Sequence, residues 1–135
     1  MNRTRIRQVA AAVLRRPDGK VLLLKRAASH TTNPNKWCFV TGFVEEDETP
    51  RDAAIRELRE ELSIESAPTR SGPVVEVRMS SELTLHVSPF LFEVENIPIT
   101  LDWEHTAYVW VEPGEVTDYD IVQQLDDDLR SLGLL

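Results

Sequence analysis

The stretch Thr49 to Leu62, TPRDAAIRELREEL, constrains this 135-residue chain more than any other. Thr49 is a good N-cap, and Pro50 suits the first helical position, where no backbone N–H is needed. Asp52 stands three residues after Thr49 as a near capping box. These signals predict a helix from about Pro50 to Leu62. At about 100° per residue, Ile55, Leu58 and Leu62 gather on one side, and Glu57, Glu60 and Glu61 fall within about a third of a turn on the other. One face reads as core and the other as carboxylate. Glu57 and Glu61 form a like-charged i, i+4 pair that costs roughly 0.2–0.5 kcal/mol in an isolated helix, and Glu60 crowds both. A solvated acidic face tolerates this, since water weakens the repulsion. A bound hard cation is the other way to offset it.

The rest of the chain supplies something for that helix to pack on. Gln8 to Arg15 and Val21 to Lys25 are apolar runs joined by Pro17-Asp18-Gly19, a turn signal, and read as two strands of a hairpin or near-hairpin. Ala27 to Lys36 is polar, holds Pro34 and reads as a loop. Trp37 to Val44 is extended and delivers the chain to the helix. Further strands are expected near Val74 to Met79, Thr84 to Val94 and Ala107 to Val111. A final helix is expected from about Tyr119 to Leu132, with Ile121, Val122, Leu125, Leu129 and Leu132 at helical spacing. Asp126, Asp127 and Asp128 read as its solvated face. No repeat, linker or low-complexity segment divides the chain, so residues 1–135 are expected to form one domain. Strands on both sides of an internal helix, with a helix at the end, predict an α/β sandwich with a mixed sheet.

The formal net charge of −8 argues against binding nucleic acid or an anionic membrane, since both reward basic patches. It would also repel a polyphosphate, unless divalent cations on the acidic face invert the local field. The acidity is therefore an argument for metal. Cys38 is the single cysteine, so no internal disulfide forms. The basic, briefly apolar start of the chain is better read as a strand than as a signal peptide, and a reduced cytoplasmic setting is expected.

Gly42, then Glu48, Arg56, Glu57, Leu58, Glu60, Glu61 and Ile64 resemble the Nudix box, G-x5-E-x7-R-E-U-x-E-E-x-G-U, at eight of nine defined positions. The departure is Ser63, where the family usually has glycine; that position commonly needs a positive φ at a helix end. The resemblance implies a Nudix-type α/β/α sandwich, with the box as a loop-helix-loop catalytic motif. It also implies a Mg²⁺-dependent hydrolase, with Mn²⁺ as a substitute, that splits a diphosphate linkage in a small-molecule substrate such as a nucleoside triphosphate. By resemblance Glu57 and Glu61 are the principal metal ligands, Glu60 is a further ligand or water-positioning carboxylate, and Thr41 lends a backbone carbonyl. Glu48 and Arg56 lock the loop to the helix; for Glu48 buttress and metal ligand both stay open. The general base is Glu57 or Glu60.

Val40-Thr41-Gly42 and the segment Glu104 to Trp110 resemble the bacterial dihydroneopterin triphosphate pyrophosphatases within the family. That likeness implies Glu104 as a late metal-binding or catalytic carboxylate, and Arg26, Thr41 and Gly42 as substrate contacts. His105 is a structural or loop histidine, or a proton shuttle. Trp37 and Trp110 are core residues or stack on a flat base, and Trp103 belongs at the rim of a site. Phe39 and Phe43 divide between packing and pocket lining. Dimers are common among such folds, yet no residue here demonstrates one. A nucleotide-sensing module without turnover is the alternative to an enzyme; the complete acidic set argues against it. Specificity is expected in Ala27 to Lys36 and in the region after Val94.

Overall fold

The computed structural model describes residues 4–135. Its central strand is β1 (Arg5–Arg15), in which every residue from Val9 to Leu14 is buried. Such an unbroken apolar run marks a strand covered on both faces. β1 lies parallel to β7 (Leu83–Glu93) along its whole length, from Arg5 opposite Leu83 to Arg15 opposite Glu93. The other pairings between these strands are antiparallel, so the sheet is mixed. β2 (Val21–Arg26) turns back on β1 after Gly19, whose φ of 88° the turn requires. The path through the sheet runs β3 (Trp37–Cys38), β2, β1, β7, β5 (Arg70–Ser71). β4 (Val40–Phe43) pairs with β1, β6 (Val75–Arg78) with β7, and β8 (His105–Val111) with β2.

The extended run expected from Trp37 to Val44 is broken at Phe39, because β3 bonds to β2 and β4 to β1. Phe39 itself is buried. The switch carries Thr41 and Gly42 onto the central strand, opposite Ala11 and Ala10.

The helix α1 spans Pro50–Leu62, as its signals predict. The Thr49 hydroxyl accepts the Asp52 N–H at 3.1 Å. Ser63 closes the helix in the left-handed region at φ 57°, its N–H donating to Arg59 O at 2.9 Å. Serine thus adopts the exit geometry for which the family pattern usually supplies glycine. Ala53, Ala54, Leu58 and Leu62 press on Ala10, Ala12, Leu14, Leu22, Leu24 and Phe92 of the sheet. The two-faced reading of this helix needs one correction. Glu61 is 6% exposed, on the buried side with Leu58 and Leu62, while Ile55 is only half-buried.

The second face of the sheet buries Val13, Val21, Leu23, Leu91 and Val111 beneath Val116, Leu125, Leu129 and Leu132. Here the expected helix from Tyr119 to Leu132 is absent as one element. A 3₁₀ turn (Pro113–Asp118) and a short helix α2 (Leu125–Ser131) flank an irregular segment. That segment is drawn to the edge of the sheet: the Trp37 N–H donates to Asp120 O at 2.9 Å and the Val122 N–H to Trp37 O at 3.0 Å. Backbone groups paired with a strand are unavailable to a helix, so the apolar spacing is satisfied by a different route. Asp128, expected on a solvated face, is 7% exposed.

Candidate active site

Arg56 organises the loop between β4 and α1. Its Nε and Nη2 donate to the two Glu48 carboxylate oxygens at 2.8 and 2.9 Å, a bidentate pair. Nη2 also donates to Phe43 O at 3.1 Å, and Nη1 to Glu57 Oε1 at 2.8 Å and Glu60 Oε2 at 3.2 Å. Glu48 Oε1 accepts the Glu45 N–H at 3.0 Å as well. Both Glu48 oxygens are therefore engaged within the protein. The Arg56 hydrogen bonds hold its carboxyl down at about 2. The same contacts raise the Arg56 guanidinium further.

Glu57 leans over Gly42, where a β-carbon would overlap its carboxyl. The glycine thus serves close approach, with no positive φ involved. Glu61 lies deeper, and burial first, then the hydrogen bond its protonated form donates to Glu57 and the charges of Glu57, Asp102 and Glu104, push its carboxyl well above the usual range. His105 packs beside it: Nε2 stands 3.6 Å from Glu61 Oε1, and Nδ1 is bonded to Asp102 Oδ1 at 2.8 Å. Cys38 Sγ lies 3.9 Å from the same Nε2, and burial pushes its thiol up to about 11. Asp102, three residues before His105, is a partner that sequence reasoning missed; a carboxylate at turn spacing before a buried histidine was its only signal.

A cavity of about 340 Å³ opens beside Glu57 and Gly42, with Glu61, His105, Asp102 and Cys38 behind its lining. Its walls bring together Glu57, Glu104, Arg26, Thr41 and Gly42, which are distant in sequence. A bulge at Lys25/Arg26 re-aims the end of β2, and Arg26 Nη1 donates to Thr32 O at 2.8 Å. Glu60 lies outside, its side chain about half exposed. Phe43 lines the cavity under the Arg7 guanidinium, 3.7 Å from its ring centre. Trp37 packs edge-on against Tyr119, Trp110 lies under Arg16, and Trp103 is exposed; none lines the cavity. Gln124 and Asp128 do line it. They went unforeseen because an unbroken helix would have turned the aspartates outward. A larger depression, about 460 Å³, lies by Arg15, Arg16 and Glu93, whose charges already pair with one another or with Asp18.

Among the described residues no three His, Cys, Asp or Glu side chains are already grouped to hold an ion. The donor chemistry nevertheless fits a hard dication. Magnesium is commonly held by one or two carboxylates together with substrate phosphates, without an all-protein cage. Buried Glu61, repelled by Glu57, Asp102 and Glu104, is the arrangement such charge would relieve.

A mixed sheet between two helical layers, with a carboxylate helix locked by an arginine at one edge, defines a Nudix-type fold. A sequence model of the NUDIX domain matches residues 5–130, and the chain belongs to the Nudix family of hydrolases. It is 36% identical over 115 residues to the CTP pyrophosphohydrolase of Escherichia coli K12, covering 84% of this chain and 82% of that protein. It is 30% identical over 128 residues to the nucleoside triphosphatase NudI of Escherichia fergusonii, covering 87% and 91%. The E. coli dihydroneopterin triphosphate pyrophosphohydrolase superposes over the whole of both chains with a TM-score of 0.73 at 22% identity, which shows the fold alone. Members of the family generally use divalent metals.

Proposed function

We propose that this chain hydrolyses nucleoside triphosphates at a phosphoanhydride bond, releasing pyrophosphate, with Mg²⁺ bound and Mn²⁺ able to replace it. The observation that carries the reading is Glu61, buried at 6% exposure among Glu57, Asp102 and Glu104. A fold that needed only stability would not collect these carboxylates, because like charges in a poorly solvated site repel strongly. The likeness to a CTP pyrophosphohydrolase and to a nucleoside triphosphatase supports the substrate class.

When bound, the dication would neutralise phosphate charge and make water easier to deprotonate. Glu57 and Glu61 would hold it, with Glu104 and the Thr41 carbonyl as further oxygen donors. Arg26 faces the same cavity and would meet phosphate oxygens. Water attacks phosphorus, the anhydride P–O bond breaks, and the leaving phosphate carries off the electron pair. Of the two candidate bases, Glu57 stands in the cavity wall and Glu60 outside. The proposal therefore gives Glu57 the water's proton and Glu60 a share in holding Arg56. Glu48, with both oxygens engaged, serves as buttress.

The test is a panel of nucleoside triphosphates, a pterin triphosphate, nucleoside diphosphate sugars and dinucleoside polyphosphates, with Mg²⁺ and with Mn²⁺ and products identified by mass. Monophosphate plus pyrophosphate from a nucleoside triphosphate is expected. Glu57→Gln and Glu61→Gln should each lower turnover by about a hundredfold or more while the fold is retained. Tight binding with no product from any member of the panel would instead show a sensor.

A further inference from the structure

After β2 ends at Arg26 the chain makes a turn that closes back on that same arginine before β3 begins. The Arg26 N–H donates to Lys36 O at 2.9 Å, and the Asn35 N–H to Arg26 O at 3.1 Å. Asn33 and Asn35 take left-handed conformations, φ 49° and 63°, which asparagine tolerates better than most residues. The Ala27 N–H donates to Glu104 O at 2.8 Å and the His30 N–H to Ala27 O at 3.0 Å, so the turn is tied to the start of β8 and His30 is tied to the turn. His30 and Arg26 thereby share one wall of the cavity.

A single peptide group sets what both side chains present there. Thr32 O accepts Arg26 Nη1 at 2.8 Å, and the Thr32 N–H donates to His30 Nδ1 at 3.2 Å. A backbone N–H can only donate, so Nδ1 carries a lone pair and the ring hydrogen sits on Nε2. The polar atom that the imidazole has left for a ligand is a donor. Arg26 also can only donate, whereas Glu57 and Glu104 in the same cavity are carboxylates. A dication held by carboxylates binds some oxygens of a phosphate chain, and the oxygens turned away from it need N–H partners. Arg26 and His30 supply that second set.

We propose that His30 is a phosphate-binding residue of this site: its Nε2–H donates to a non-bridging oxygen of the triphosphate, beside the Arg26 guanidinium, with the Thr32 peptide fixing both donors. This rests on the triphosphate reading above and adds a contact that no residue of the Nudix box provides. The phosphate chain is common to all nucleoside triphosphates, so the contact serves every base alike.

Two substitutions separate this role from one of merely holding the turn. His30→Asn keeps an acceptor near the place of Nδ1 for the Thr32 N–H and removes the donor at Nε2, whereas His30→Gln places an amide N–H near Nε2 and loses the turn bond. His30→Asn should raise KM by about tenfold with kcat little changed, the loss of one hydrogen bond to a charged oxygen. The factor should be the same for CTP, UTP, ATP and GTP, and His30→Gln should recover most of the loss. Calorimetry with Mg²⁺ and inorganic tripolyphosphate should rank the affinities in the same order: wild type, His30→Gln, His30→Asn. A wild-type KM in His30→Asn, or a His30→Asn that outperforms His30→Gln, would mean that the ring serves the turn alone and overturns the proposal. A loss that differs severalfold between bases overturns it too, by placing the contact on the nucleoside. If no nucleotide is turned over, the hydrolytic reading fails separately. His30 is then judged by the tripolyphosphate titration, where equal behaviour of the wild type and His30→Asn rejects it.

Discussion

Ser63 stands at a backbone position that glycine fills without strain. An L-residue in the left-handed region costs roughly 1–2 kcal/mol relative to glycine, and the φ of 57° at Ser63 places it there. Replacing Ser63 by Gly should therefore raise stability by about 1 kcal/mol, read as a higher denaturant midpoint with unchanged m-value. The gain is reduced because glycine also loosens the unfolded chain. Gly42 argues in the opposite sense. Its φ is ordinary, and what it supplies is room for the Glu57 carboxyl. Gly42→Ala should displace Glu57, weakening Mn²⁺ binding and turnover by about tenfold or more while thermal stability falls little. Both metal affinity and rate equal to wild type would contradict the role assigned to that contact.

At the scale of elements, α1 is legible because everything that makes it is local: the Thr49 cap, Pro50 at the first turn, and the Leu58 and Leu62 stripe. The box residues are legible for the same reason, since Arg56 reaches Glu48, Glu57 and Glu60 within a dozen positions. The end of the chain is not. Val122, Leu125 and Leu129 keep helical spacing, yet the helix begins only at Leu125, because Trp37 claims the backbone of Asp120 and Val122 across more than eighty residues. Gln124 and Asp128 owe their positions to such long-range pairings, and no local pattern announces them. The lock between loop and helix carries its own prediction. Arg56→Ala leaves Glu48 and Glu57 without their shared cation, and should cost roughly 1–3 kcal/mol of stability. Arg56→Lys should recover only part, since an ammonium cannot reproduce the bidentate contact.

For the whole molecule, two carboxyls pull the pH dependence of stability in opposite directions. Glu48 sits at about 2 when folded, against an ordinary 4.5. Its stabilising contribution is present above about pH 4.5 and is lost as pH falls through 2. Asp128 sits at about 8 when folded, against 3.8. Its neutral form is the favoured one, so that contribution is full below pH 3.8 and is lost as pH rises through 8. The charges of Asp127 and Asp126 on α2 reinforce that direction. Glu61, also raised, adds to the alkaline limb until a dication binds. Metal-free protein should therefore be most stable near pH 4–5 and weaken steadily toward pH 8, with added Mg²⁺ restoring part of the loss by binding the folded state. Asp128→Asn removes a titration from the alkaline limb. It should flatten the slope between pH 5 and 8 and gain on the order of 1 kcal/mol at pH 8, the sign expected when a buried charge is removed. Thermal unfolding of both proteins across that range is the measurement. A wild-type stability that rises from pH 5 to 8 would mean that Asp128 ionises freely, and that the cavity floor is wetter than its burial implies.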